Sequence, residues 1–374
     1  MIANCEEMHA AGRRTPIGVP ADPLKVVFTK EVLGNWKRKA EHSEDLKFRL
    51  RVLSACGPYP SDRLRAREIR IYRAWRAAWD AYLYAAFANG MFEGDKGRDI
   101  RARLTGIGTD GFRSAMAECL SCWFLSGPMR FRVDGIAPGR NGKNLDMVVI
   151  LPDGNIGIEV KAPFRDIPTP ESGSGAVCWS GDDADKIIRC LEAANKQFTD
   201  GIRNILVIAP RLRSALCSDR HDLVKAAFGQ SMIAFLLNAE TGEAGPMKTE
   251  FSADGNFLKR RLSNGRLLKR DGLPAYRRIS AILCIEQRLK EKYPPLNPLL
   301  LLDEQRRDQM WAEWEAAGRK HLSCENEMWI EHDIIVLHNP HAYCPLPLEM
   351  WKQFSQLVPA NGQMKWTDGY INRF

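Results

Sequence analysis

Apolar positions along this chain change their period several times, and each change marks an element. From about Val27 to Gly90 they recur every three or four residues, the spacing of helices with one buried face. Ser61 and Asp62 form a capping pair there. The run RLRAREIRIYRAWRAAWDAYLYAAF then predicts one long helix, with Ile71, Trp75, Trp79 and Tyr82 on one side. That stripe reads as core, with Arg70, Arg73 and Arg76 on other faces. Rings that stack on nucleic-acid bases would have to be exposed instead. The passage GDKGRDIRARLTGIGTDG breaks the pattern with glycine and charge and reads as a boundary. Thr109 and Asp110 then cap a helix through FRSAMAECLSCWFL.

Beyond that helix the period shortens to two. MRFRVDGI predicts a strand, and Leu145 to Leu151 and Ile156 to Ala162 predict two more, with Asp153-Gly154 as a tight turn between them. RDIPTPESGSGAVCWSGDD is too rich in Gly, Ser and Pro for a regular element. ADKIIRCLEAANKQFTDG returns to helical spacing, with Ile187, Leu191, Ala194 and Phe198 on one face. RNILVIAP is apolar throughout, the mark of a strand covered on both sides. RISAILCIEQ and EHDIIVLHNP predict two further strands that extend the sheet, separated by a polar, helix-forming segment with Trp311 and Trp314. The order is helix, three strands, helix, strand, an α/β arrangement.

The hairpin carries the candidate chemistry. With a two-residue turn at Asp153-Gly154, Leu151 faces Ile156, Val148 faces Glu159 and Asp146 faces Lys161. Asp146, Glu159 and Lys161 then project from one face, with Asp146 diagonal to Glu159 at about 7–8 Å between backbones. Asp153 sits at the turn tip, away from them. Two carboxylates at this separation can share one small cation, and the backbone carbonyl of Val160 can complete a hard oxygen set suited to Mg²⁺, with Mn²⁺ as a substitute. Such a metal polarises a phosphate and acidifies a bound water. A lysine beside it offsets the charge that develops on the phosphate.

Charge and composition narrow the partner. The formal charge of +8 favours a polyanion such as nucleic acid. No apolar run is long enough for a membrane-spanning helix, and the first residues lack the apolar segment of a secretory signal. Ten cysteines scattered over 374 residues read as reduced thiols in a cytoplasmic protein. A phosphate-binding nucleotide loop, with its Gly-Lys-Ser/Thr ending, is absent from the glycine-rich passage at 94–111.

Asp146 and Glu159-Val160-Lys161, set in that element order, resemble the PD-(D/E)xK nuclease superfamily and its restriction-endonuclease-like fold. The resemblance covers residues 109 to 210. It implies a mixed central sheet flanked by helices (αβββαβ), with a helical N-terminal region and a C-terminal extension. It also implies Mg²⁺-dependent hydrolysis of phosphodiester bonds in DNA, less often RNA, leaving 5′-phosphate and 3′-hydroxyl ends. Asp146 and Glu159 match the family's metal ligands and Lys161 its catalytic lysine. Glu118 matches a glutamate that many members carry on the preceding helix. Gln197 stands where some branches have a glutamine, without the tyrosine that often follows it. Leu145 replaces the proline before the aspartate. The literal Pro152-Asp153 lies six residues before Glu159, too close for two paired strands. An endonuclease, in microbial defence or mobile-element biology, is the expectation from the family. An RNA-cutting enzyme of the same fold and a non-catalytic nucleic-acid-binding or assembly subunit are the alternatives.

The division implied is an arm at 1–25, a helical region at 26–108, a nuclease domain at 109–345 with its core at 109–212, and a tail at 346–374. A homodimer or a partner protein is compatible with this organisation. Lys259, Arg260, Arg261, Arg266, Lys269 and Arg270 form a basic run suited to phosphate contact. Cys119 and Cys122 on a helix read as small core thiols. His321, His332, His338 and His341, with Cys324 and Cys344 interleaved, could hold a structural Zn²⁺ but do not have the spacing of a compact zinc module. The loop at 166–182 follows the motif strand and is expected to border the site.

Overall fold

A computed structural model describes residues 19–55, 63–135, 144–163, 184–209, 220–229, 276–291, 328–360 and 363–367, with short pieces between them. Among the described residues six α-helices come first: α1 (Pro23–Val27), α2 (Lys30–Lys39), α3 (Glu44–Ser54), α4 (Arg63–Ala88), α5 (Gly94–Thr105) and α6 (Thr109–Ser126). Side-chain caps start several of them, as Asp22 accepts from the Lys25 amide, Thr29 from Val32 and Ser43 from Leu46. The strands of the main sheet are β1 (Arg132–Asp134), β2 (Met147–Ile150), β3 (Ile156–Lys161), β4 (Arg203–Ile208), β5 (Ala281–Glu291), β6 (Met328–His338), β7 (Ser355–Ala360) and β8 (Gln363–Thr367). Helix α7 (Ala184–Gln197) lies between β3 and β4, and α8 (Arg220–Phe228) between β4 and β5.

The eight strands lie side by side in chain order. β1, β2 and β3 are antiparallel, and β3, β4 and β5 are parallel. β5 and β6 pair antiparallel over their full lengths, β6 and β7 run parallel, and β8 returns antiparallel. This is an α/β fold on a mixed sheet. The continuous apolar run of β4 is explained by its place between two parallel neighbours, with Leu206 and Ile208 facing one way and Ile205 and Val207 the other.

Helices cover both faces. One apolar cluster joins α1 to α6 with Ile156, Ile158, Val160, Ile205, Val207, Leu283 and Ile334. The other joins α7 and α8 with Leu145, Leu206, Ile208, Ile282 and Leu337. Trp75, Trp79 and Tyr82 of α4 are buried in the first cluster and Ile71 packs against it, so this stripe is core. Ile187, Leu191, Ala194 and Phe198 are buried in the second. The N-terminal helices and the sheet thus share one apolar core.

Three expectations change. The stretch at 94–105, read as a boundary, is helix α5. Gly97 lets it lie close to Phe92, where an added Cβ would stand 2.1 Å from the Phe92 carbonyl carbon, and Ile100 and Leu104 are buried at helical spacing. Trp36 donates to the Thr105 carbonyl (2.8 Å) at its C-terminus, and Arg49 to the Gly106 carbonyl (3.1 Å) just beyond. The region read as a tail supplies β7 and β8. The hairpin is also shifted. Its closing bond runs from the Gly154 amide to the Leu151 carbonyl (3.3 Å), so Pro152 and Asp153 are the central residues, and Gly154 takes φ +122°. Proline's fixed φ suits the first central position of a turn.

Candidate active site

The shifted turn moves the register by two residues. Val148 pairs with Gly157 and Met147 with Ile158, so one further step sets Asp146 across from Glu159 rather than Lys161. An even shift leaves every side chain on its own face. Asp146 sits at a bend between Asn144–Leu145 and β2. Its amide donates to the Ile158 carbonyl (3.1 Å), and its Oδ2 accepts from the Val160 amide (2.7 Å). The aspartate is therefore fixed to the motif strand by both backbone and side chain. Asp153 accepts from Arg203 (2.8 Å) at the surface and belongs to the turn.

Glu159 is 1% exposed. Its Oε1 is ion-paired with Lys161 Nζ, while its Oε2 is buried without a hydrogen-bond partner. Burial and then the charge of Asp146 push its pKa up to about 7, against the opposing pull of Lys161. Burial lowers the Lys161 pKa, but the Glu159 carboxylate outweighs it, so the ammonium is held charged. Glu118 on α6 is 3% exposed and also raised to about 7, by burial and then by Asp146. Arg103 donates to both its oxygens, at 2.6 and 3.2 Å. Asp146 thus influences two buried carboxylates.

Two residues of this constellation were hidden in the stretch read as a boundary. Arg103 and Lys96 both come from α5, and Lys96 Nζ donates to the Leu145 carbonyl (3.2 Å) and to the Asp146 carbonyl. Lys96 lowers the pKa of Glu118 and of Glu159. The signal that α5 is helical was its pairing pattern: Asp95 with Arg98, Asp99 with Arg103, and Ile100 with Leu104.

Gln197 is the last residue of α7. The α7 residue that senses Lys161 is Cys190, whose thiol burial raises to about 11 and Lys161 lowers. Gln197 lies seven residues further on, about 10 Å along the helix axis. Cys119 and Cys122 are buried, and burial raises both thiols. His338 is buried against Gln356 (2.7 Å), with its pKa lowered to about 4 by burial. His321 and Cys324 lie outside the described residues, as do the loop at 166–182 and Lys259, Arg266, Lys269 and Arg270. The backbone of Arg260 and Arg261 forms a short strand paired with Leu267–Leu268 and Leu273–Pro274; their side chains lie outside the described residues.

The donor set suits a hard divalent cation. A buried carboxylate oxygen without a partner is costly, and a cation there would satisfy it. Asp146, Glu159 and the Val160 carbonyl are the groups that would hold it. Among the described residues no group of three or more His, Cys, Asp or Glu is placed to hold a metal ion. No helix among the described residues is long and apolar enough to cross a membrane. No known protein family, curated protein or solved structure gives a significant match to this chain.

Proposed function

We propose that the protein is a Mg²⁺-dependent nuclease of the PD-(D/E)xK kind, on a restriction-endonuclease-like core, that hydrolyses phosphodiester bonds of DNA internally. The observation that carries the reading is the buried Glu159 oxygen without a partner, on a carboxylate that shares its strand with Lys161 and faces Asp146. A bound Mg²⁺ supplies Lewis acidity and a more acidic water. Asp146 and Glu159 provide the negative charge that retains the cation, and the Val160 carbonyl a neutral ligand. Lys161, kept protonated by Glu159, offers a hydrogen bond and a positive charge to the phosphate. Lys96 offsets the negative charge of Glu118 and Glu159, and Arg103 that of Glu118.

The test uses supercoiled plasmid, single-stranded DNA and RNA, each incubated with Mg²⁺ and again with EDTA. The wild type is expected to nick plasmid with Mg²⁺ and to stop with EDTA. Lys161→Ala and Asp146→Ala are each expected to lose on the order of 10²-fold or more in rate. Cleavage of RNA alone would move the proposal to an RNA-cutting enzyme of the same fold. A second reading, a nucleic-acid-binding or assembly subunit that does not cut, is favoured by one observation: Arg103 engages both oxygens of Glu118. Binding without cleavage under both Mg²⁺ and Mn²⁺ would select it.

A further inference from the structure

Helix α5 brings two cations to the site. Lys96 Nζ donates to the Leu145 carbonyl (3.2 Å) and to the Asp146 carbonyl, which fixes its ammonium at the backbone of a proposed metal ligand. Arg103 stands about two helical turns further along, so the two side chains leave α5 on one side. Arg103 donates to both oxygens of Glu118 (2.6 and 3.2 Å), to Ser114 (3.3 Å) and, through Nε, to Asp99 (2.8 Å). Gly97, which directly follows Lys96, is where α5 lies close to the Phe92 backbone.

These cations complete a balance of charge. Glu159 is ion-paired with Lys161 and Glu118 with Arg103. Asp146 gives Oδ2 to the Val160 amide (2.7 Å), and Lys96 stands at its carbonyl. The reach of Lys96 is wider than that one contact: its charge lowers the pKa of Glu118, of Glu159 and of the Cys122 thiol. Three carboxylates therefore face three cations before any metal binds. One divalent ion at Asp146 and Glu159 leaves this group with two excess positive charges, and a second would leave four. Glu118 and Glu159 are both buried, and in such a setting like charges repel more strongly than in water. Two-metal hydrolytic centres hold their ions about 3.5–4 Å apart. A second ion at that spacing would lie in the field of Lys96 and would have to compete with Arg103 for Glu118.

We propose that the Lys96 ammonium stands in for a second metal ion, so that this centre takes one divalent cation and no more. The inference rests on the metal reading of Asp146 and Glu159 and adds to it the residue that sets the number of ions. Lysine suits the task because its ammonium is a compact point charge on a flexible stem. The hydrogen bonds to the Leu145 and Asp146 carbonyls hold that charge in place. A lysine that only ties α5 to those carbonyls predicts the opposite on its replacement. Loss of a tie loosens Asp146 and weakens metal binding, whereas loss of a competing charge strengthens it.

Calorimetric titration of the full-length protein with Mn²⁺ at pH 8 tests it without nucleic acid. That pH lies above the values of about 7 for Glu118 and Glu159, so both are largely ionised. Paramagnetic resonance of the free Mn²⁺ counts the bound ions independently. The wild type is expected to bind one Mn²⁺. Lys96→Gln keeps a donor for the two carbonyls but removes the charge, and is expected to bind Mn²⁺ at least about tenfold more tightly. Lys96→Arg keeps the charge and is expected to bind as the wild type does. Thermal melts without metal show that both variants are folded, and the wild-type count needs no variant. Two ions in the wild type would overturn the proposal. So would unchanged or weaker binding in a folded Lys96→Gln, or equal tightening in Lys96→Arg. Two ions bound with plasmid nicking intact would leave the nuclease reading standing, whereas no bound Mn²⁺ at all would remove both.

Discussion

Glu159 has two environments on one carboxylate. Lys161 holds one oxygen, while the other is buried and unpartnered, and burial with the charge of Asp146 raises the pKa to about 7. Glu118 is raised to about 7 as well. A carboxyl whose folded pKa exceeds its ordinary value favours the protonated form in the fold. Its contribution to stability is complete below about pH 4.5 and is lost as pH rises towards 7. Without metal, thermal melts are expected to show the protein losing stability over that interval, and Asp146→Asn should flatten the loss by removing the charge that raises both glutamates. Mn²⁺ must displace the proton from Glu159, so its stabilising shift should be small at pH 5 and large at pH 8. Equal shifts at both pH values would count against a cation at Glu159. The pairing of β2 with β3 was legible in the sequence, with parity kept through the two-residue change of register, but the bend at Asp146, where Leu145 and Met147 pack on opposite faces of the sheet, was not. The partner of Glu118 was not, since Arg103 comes from a helix that glycines disguised.

At the scale of elements, α5 decides how the site is supported. It carries Lys96 to the Asp146 backbone and Arg103 to Glu118, and Gly97 sets its distance from Phe92. Gly97→Ala is expected to cost about 1–3 kcal/mol by overpacking against backbone, measured by urea unfolding, and to reduce plasmid nicking because α5 must move. Unchanged stability and nicking would show that α5 does not position these groups. Strands β3 and β4 and helix α7 were legible because their apolar periods are unbroken over six or more residues. Strand β1 was expected over eight residues and spans three. The turn was misplaced by one position because both Pro152-Asp153 and Asp153-Gly154 are turn-forming pairs, and proline's fixed φ settled the choice.

At the scale of the molecule, the helices before residue 106 and the sheet bury each other. Trp79 of α4, Phe112 of α6, Val160 of β3 and Ile334 of β6 belong to one apolar cluster. A chain lacking residues 1–105 is therefore expected to lose its cooperative unfolding transition, monitored by circular dichroism in urea; a steep transition in that fragment would show an independent core. This dependence could not be read from the sequence, because a helical stripe specifies that a face is buried but not against what. The same limit applied to Ser355–Thr367, whose two strands need the edge of β6 before they have a partner.

Asp146 and Glu159 are proposed to hold one divalent cation beside Lys161. A crystal soaked in Mn²⁺ and measured at the manganese absorption edge tests it most directly. An anomalous peak is expected within ligand distance of the Asp146 and Glu159 carboxylates, and none in Asp146→Ala. A wild-type crystal with Mn²⁺ bound elsewhere, or with no peak at these oxygens, would contradict it.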